Sequence, residues 1–140
     1  MYNINPRLWG ANSWAFLHYI TFAYPDNPSH TEQNGMRTFF NSISDVLPCE
    51  KCRINYKKHL NDFPLNEKAL SSRNDLILWL IDIHNEVNKE YNGPVLTYDS
   101  VYQQYMNKNK FKLTRFHIIC IGLVIILCLI IYVKYWMYHN

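Results

Sequence analysis

Cysteine and glycine are both scarce in this chain: four of each occur in 140 residues. Two of the cysteines, Cys120 and Cys128, lie within one long apolar run near the C-terminus. That leaves a single pair elsewhere, Cys49 and Cys52 in Leu-Pro-Cys-Glu-Lys-Cys. No second CxxC accompanies it, and the histidines show no HxxxH spacing, so the four ligands of a structural zinc site are not in evidence. The scarcity of glycine, with no clean period-2 run of β-branched residues, excludes a strand-rich fold and leaves a helical one. There is no internal repeat and no low-complexity stretch. No charged n-region followed by an apolar h-region opens the chain, so a cleaved signal peptide is not expected. The net charge of +3 comes without a base-reading motif or an aromatic-basic stripe, and no nucleic-acid partner is expected.

From Phe116 to Val133 no residue is charged, and almost every position is Ile, Leu, Val, Cys or Phe. Eighteen residues at helical rise reach about 27 Å, close to the ~30 Å of a bilayer core. Tyr132, Tyr135, Trp136 and Tyr138 crowd one end as an aromatic belt would. The alternative is a buried core helix, but a domain of this size rarely buries a helix that is apolar all round. A transmembrane helix at 116–133 is therefore expected, with membrane lipid around it. Lys108, Lys110, Lys112 and Arg115 precede it and only Lys134 follows. The positive-inside rule then places the N-terminal domain on the cytoplasmic side. Cys120 and Cys128 read as apolar filler or acylation sites.

Ahead of that run, five helices are legible. The first is expected from Gly10 to Tyr24, stopped by Pro25, and the second from Thr31 to Val46. Pro48 suits the N1 position of a third helix reaching Leu60. Ser72 with Asp75 signals the start of a fourth, with a stripe of Leu76, Leu80, Ile83 and Val87 and a stop at Gly93-Pro94. A short fifth covers Asp99 to Asn107. Short loops between four or five helices argue for an antiparallel bundle.

In a reducing compartment a lone CxxC reads as catalytic or metal-binding rather than structural. Cys49, nearest a helix N-terminus, would have its thiolate favoured by unpaired N–H groups, and Lys51 adds positive charge. Half a zinc site and an inert thiol pair are the alternatives. A dithiol that oxidises repeatedly needs an electron acceptor. His84-Asn85-Glu86-Val87-Asn88-Lys89 offers polar rows beside an apolar stripe, suited to a flat ligand with a phosphate or to a solvated helix end. Trp9, Trp14 and His18 on the first helix are either core or stacking groups.

Four motifs occur in order: Trp9-Gly10-x-x-x-Trp14-x-x-x-His18, Tyr24-Pro25, Pro48-Cys49-x-x-Cys52, and His84-Asn85-x-Val87-Asn88-Lys89. Over about residues 6 to 107 they resemble the Erv/ALR family of FAD-linked sulfhydryl oxidases. The resemblance implies an all-α fold, a four-helix bundle plus a short fifth helix, binding FAD at its mouth and usually a homodimer. It implies oxidation of two thiols by oxygen to a disulfide and hydrogen peroxide. Cys52 would be the flavin-proximal thiol and Cys49 the interchange thiol that meets the substrate. Gly10, Ser13, Trp14, His18 and Tyr24 would line the FAD. His84, Asn85, Val87, Asn88 and Lys89 would hold its adenine and phosphate portions, with Tyr91 and Tyr105 as further contacts. No metal is implied.

The chain departs from cellular members in having no cysteine between Leu60 and Leu80 for a second structural disulfide. Nor does it have a shuttle pair on a flexible arm. It resembles the minimal members of large DNA viruses, in which a separate thioredoxin-like protein delivers the electrons. The expected organisation is an oxidase domain at 1–107, a basic linker at 108–115, the transmembrane helix at 116–133 and a tail at 134–140. A virion or viral-factory membrane would suit it. A flavin-free thiol–disulfide carrier and a scaffold protein of a particle are the rival readings.

Overall fold

A computed structural model describes residues 2–107 and 115–139; within the second stretch, side chains are described at 119 and 122–137. Two compact units result, Met1–Lys108 and Asn109–Asn140. The described elements are all helical: α1 (Pro6–Ala23), α2 (His30–Val46), α3 (Glu50–Asp62), α4 (Arg73–Glu90), α5 (Tyr98–Tyr105) and α6 (Arg115–His139).

Each start in the first unit has a local chemical cause. Pro6 opens α1, where its missing N–H costs nothing, and the Asn5 side chain accepts a hydrogen bond from Arg7 N–H at 3.1 Å. This helix therefore begins four residues ahead of Gly10, at signals the apolar spacing alone does not carry. Ser29 and Glu32 close a capping box on α2. For α3 the cap is Cys49 itself, whose Sγ accepts from Cys52 N–H at 3.2 Å. Pro48 thus precedes the cap instead of occupying N1. Ser72 caps α4 through Asp75 N–H, and Thr97 with Ser100 caps α5. Where α4 ends, Asn92 takes the left-handed conformation at φ 53°, which asparagine tolerates better than most residues. Gly93 is needed next for space, since a Cβ there would meet Asn88 Oδ1 at 3.1 Å.

The hub is α4, which packs on α1, α3 and α5, while α2 lies against α3 and α5 against α1. Of its expected stripe, Leu76, Leu80 and Ile83 enter a core shared with Leu17, Phe40, Tyr56 and Trp79, and Val87 lies outside that core. A second face, Ile77 and Ile81, meets Val101 and Tyr105 of α5. Burial on two sides makes this helix apolar over most of its surface in a small domain.

The transmembrane expectation is corrected. Among the described residues no helix is long and apolar enough to cross a membrane. The single-pass placement, and the cytoplasmic orientation of the N-terminal domain read from it, are corrected with the span. The lipid contact loses its support with them. The basic linker falls almost wholly outside the described residues, as does the side chain of Cys120, while Cys128 is a free, exposed thiol.

Candidate active site

Cys49 and Cys52 form a disulfide across the first turn of α3, with their Cα atoms 5.1 Å apart. The two ends of this bond face different surroundings. Cys52 lines a cleft of about 660 Å³, part of it open to solvent, together with Trp9, Gly10, Ser13 and Trp14 of α1 and Val87 and Tyr91 at the end of α4. Cys49 does not line it and sits at the helix cap. The walls are mostly apolar, completed by Leu17, Ile43 and Leu47. A Cβ added to Gly10 would meet nothing within 4 Å, so the glycine leaves the cleft floor open. An apolar slot lined by aromatic rings with few polar groups suits a flat heterocycle. By that test the residues present fit the isoalloxazine end of FAD.

Behind the cleft four rings form a column. Trp14 stacks on His84 at 3.7 Å with a 7° interplanar angle, and His18 stacks on Tyr105 at 4.8 Å. The column is joined by a hydrogen bond between His18 Nε2 and His84 Nδ1 at 3.1 Å, one nitrogen donating and the other accepting. His18 is fully buried, and its Nδ1 has no hydrogen-bond partner among the described residues. Burial lowers the pKa of His18 to about 4. Burial, with His18 as a second cause, lowers that of His84 to about 3. Both rings are therefore neutral at physiological pH and present an uncharged, aromatic surface.

The linkage has a definite sign. Above pH 6.5 both rings are neutral in the folded and unfolded chains, and stability is flat with respect to them. Below it the unfolded chain takes up protons that the fold refuses, so stability falls as pH drops from 6.5 towards 4 and 3. At pH 5 the loss is on the order of 2 kcal/mol per ring. Thermal melts at pH 7.5 and pH 5 should show it, and His18→Gln should flatten the slope; an unchanged slope would refute the assignment.

Other predicted residues lie elsewhere. Tyr24 is fully buried at the end of α1; its hydroxyl donates to Leu70 O at 3.0 Å and its carbonyl accepts from Arg73 Nε. Asn85 holds both backbone groups of Leu96, donating to its carbonyl at 3.0 Å and accepting from its N–H at 2.7 Å. Asn88 donates to Pro94 O. These two asparagines fasten the α4–α5 loop. Lys89 is exposed and paired with Glu86 at 2.5 Å. Tyr91 stands at the cleft mouth beneath Lys51, whose Nζ is 5.9 Å from its ring centroid. The structure also brings in Asn55, Tyr56 and Glu90, which sequence reasoning did not single out. Asn55 and Tyr56 follow Cys52 by three and four positions, a helical spacing that marks one face and could have found them. Glu90 accepts from Asn55 Nδ2 and lies 3.3 Å from His59 Nε2. Tyr56 donates to Phe40 O, and burial raises its pKa, keeping the phenol protonated.

Residues 11–110 match the Erv1/Alr family. The chain belongs to the Erv1/Alr family. Among its relatives, a probable FAD-linked sulfhydryl oxidase of Acanthamoeba polyphaga mimivirus is 48% identical over 95 residues, covering 68% of this chain and 66% of that protein. The mitochondrial FAD-linked sulfhydryl oxidase ERV1 of Saccharomyces cerevisiae is 32% identical over 85 residues, covering 61% and 43%. The crystal structure of the yeast Erv1 core superposes with a TM-score of 0.67 at 25% identity, covering 80% of this chain and 91% of that one. The chain thus spans about two thirds of the mimivirus protein and less than half of the yeast protein. The family read from the four motifs stands, and its named members are thiol oxidases linked to FAD, the enzyme class and cofactor the motifs implied.

Proposed function

We propose that this Erv1/Alr protein is an FAD-linked sulfhydryl oxidase that makes disulfides in partner proteins, by the reaction 2 R–SH + O2 → R–S–S–R + H2O2. The observation that carries the reading is the asymmetry of the disulfide: Cys52 opens into the apolar cleft while Cys49 sits outside it at a helix cap. A substrate thiolate attacks Cys49 Sγ, the Cys49–Cys52 bond breaks, and Cys52 leaves with the electron pair on its sulfur. A second substrate thiol resolves the mixed disulfide and frees Cys49. Bound FAD supplies the two-electron acceptor and its reaction with oxygen. The chain's residues hold Cys52 against the cleft and keep water from it through Trp9, Trp14, Leu17 and Ile43. The neutral column of His84, His18 and Tyr105 backs Trp14 with rings alone, so that residue is rigid where a flat ligand would rest.

The reading extends to a thioredoxin-like electron donor in a viral disulfide-forming pathway, supported by the viral relatives. It extends also to a homodimer, for which Leu8, Phe16 and Tyr19, exposed on one face of α1, are available. The test is the visible spectrum of the purified chain. A flavin band that dithiothreitol bleaches and air restores is expected. A folded, colourless protein that gains no flavin when FAD is added would leave the thiol carrier in its place.

A further inference from the structure

The segment before α1 runs across the start of α3 and bonds to it on both sides of Cys49. Ile4 N–H donates to Pro48 O at 2.7 Å, and Glu50 N–H donates to the Asn3 side-chain oxygen at 2.8 Å. Trp9 Nε1 donates in turn to Ile4 O at 3.2 Å, fixing the segment to α1. The family match begins only at residue 11, so this strap lies outside the part of the chain the family defines.

The Glu50 N–H is the first of the unpaired donors at the N-terminus of α3. In the oxidised protein Cys49 Sγ accepts from another of them, Cys52 N–H. After reduction that sulfur stands as a thiol or thiolate at the same terminus, where free N–H groups and the helix dipole favour the anion. Asn3 takes one of those donors for a neutral oxygen and turns the negative end of an amide dipole towards the residue next to Cys49. Other charges nearby are mixed: Glu50 in the same turn, Lys51 over Tyr91, and Arg53, which donates to Leu47 O.

We propose that Asn3 is a positioning residue that sets the redox poise of the Cys49–Cys52 disulfide by occupying the Glu50 N–H. The inference rests on the oxidase reading, because the poise of this bond matters only if it cycles. Removing the Asn3 oxygen frees a donor for the sulfur and favours the reduced form. Replacing it with a carboxylate keeps the donor occupied, adds a negative charge and favours the disulfide.

The test equilibrates the full chain anaerobically with mixtures of reduced and oxidised glutathione. Two glutathione thiols reduce the bond, delivering two electrons and two protons to the cysteines, and leave as one glutathione disulfide. The fraction reduced is read by thiol alkylation and mass spectrometry, with no need for turnover. Asn3→Ala should raise the equilibrium constant for reduction about two- to fivefold, and Asn3→Asp should lower it by a similar factor, the size expected for a charge at a helix N-terminus. Shifts in the same direction, as a mere loosening of the strap would give, overturn the proposal, as does no shift at all. A wild-type disulfide that no glutathione ratio reduces removes the oxidase reading and this proposal together, whereas normal cycling with unshifted variants removes only the second.

Discussion

Cys52→Ser should abolish dithiothreitol-driven oxygen consumption while the protein stays folded and keeps its flavin. The expected fall is at least about a thousandfold, since removing a residue that acts covalently costs that much or more. The structure separates the chemical loss from a structural one. The bond closes only a four-residue loop, and the loop-entropy account of disulfides gives it about 2 kcal/mol. The N-cap on α3 comes from Cys49, not Cys52, and survives the change. Of the cleft lining, the substitution alters one atom, so the apolar walls remain for the ligand. Oxygen uptake and flavin absorbance measured on the same sample decide the matter. Retained turnover would sink the role given to Cys52, and loss of flavin together with activity would show that the sulfur holds the site together instead of carrying electrons.

The sequence exposes whatever is written in local signals or in motifs. Ser72 with Asp75, the first three members of the α4 stripe (Leu76, Leu80 and Ile83, without Val87) and the CxxC each act within a turn or two, and each appears in the structure where it was expected. The second face of α4, Ile77 with Ile81, could be seen as apolar but not assigned a partner, because its partner Val101 comes some twenty residues later and across a loop. The cleft is the clearest case of the same limit. Gly10, Ser13, Trp14, Cys52, Val87 and Tyr91 come together there from three helices, while Asn85 and Asn88, from the same motif as Val87, turn to the loop at 93–97. A motif names a helix turn, but the side of that turn on which each residue falls depends on what packs against it. Glu90 is invisible for the converse reason, since its pairing with Asn55 depends on how α3 crosses α4. The apolar run at 116–133 reads as a span by composition, yet among the described residues no helix is long and apolar enough to cross a membrane.

Phe40→Ala should be the most destabilising single change in the first unit. The ring is fully buried at the point where α2 meets α3 and α4. It stands edge-on to Trp79 at 5.0 Å and to Phe39 at 5.1 Å, and its backbone carbonyl accepts from the buried Tyr56 hydroxyl at 3.1 Å. Truncating a buried phenylalanine costs about 3–5 kcal/mol, because the cavity closes only in part, and the lost edge contacts sit at the upper side of that range. For a domain of this size that is about 15–30 °C in Tm. Leu78→Ala, on the partly exposed outer side of α4, should change stability by no more than about 0.5 kcal/mol and serves as the control. The cavity also has a route to the active site. Leu17, Ile43 and Tyr56 belong to the core around Phe40 and at the same time wall the cleft that receives Cys52. When they relax into the space left by the ring, the cleft widens and fits a flat ligand less closely. Added FAD should therefore raise the Tm of Phe40→Ala less than that of the wild type, since stabilisation by a ligand follows its affinity for the fold. Equal gains in the two proteins would mean that the core and the cleft are mechanically separate, and that the residues they share do not transmit the change.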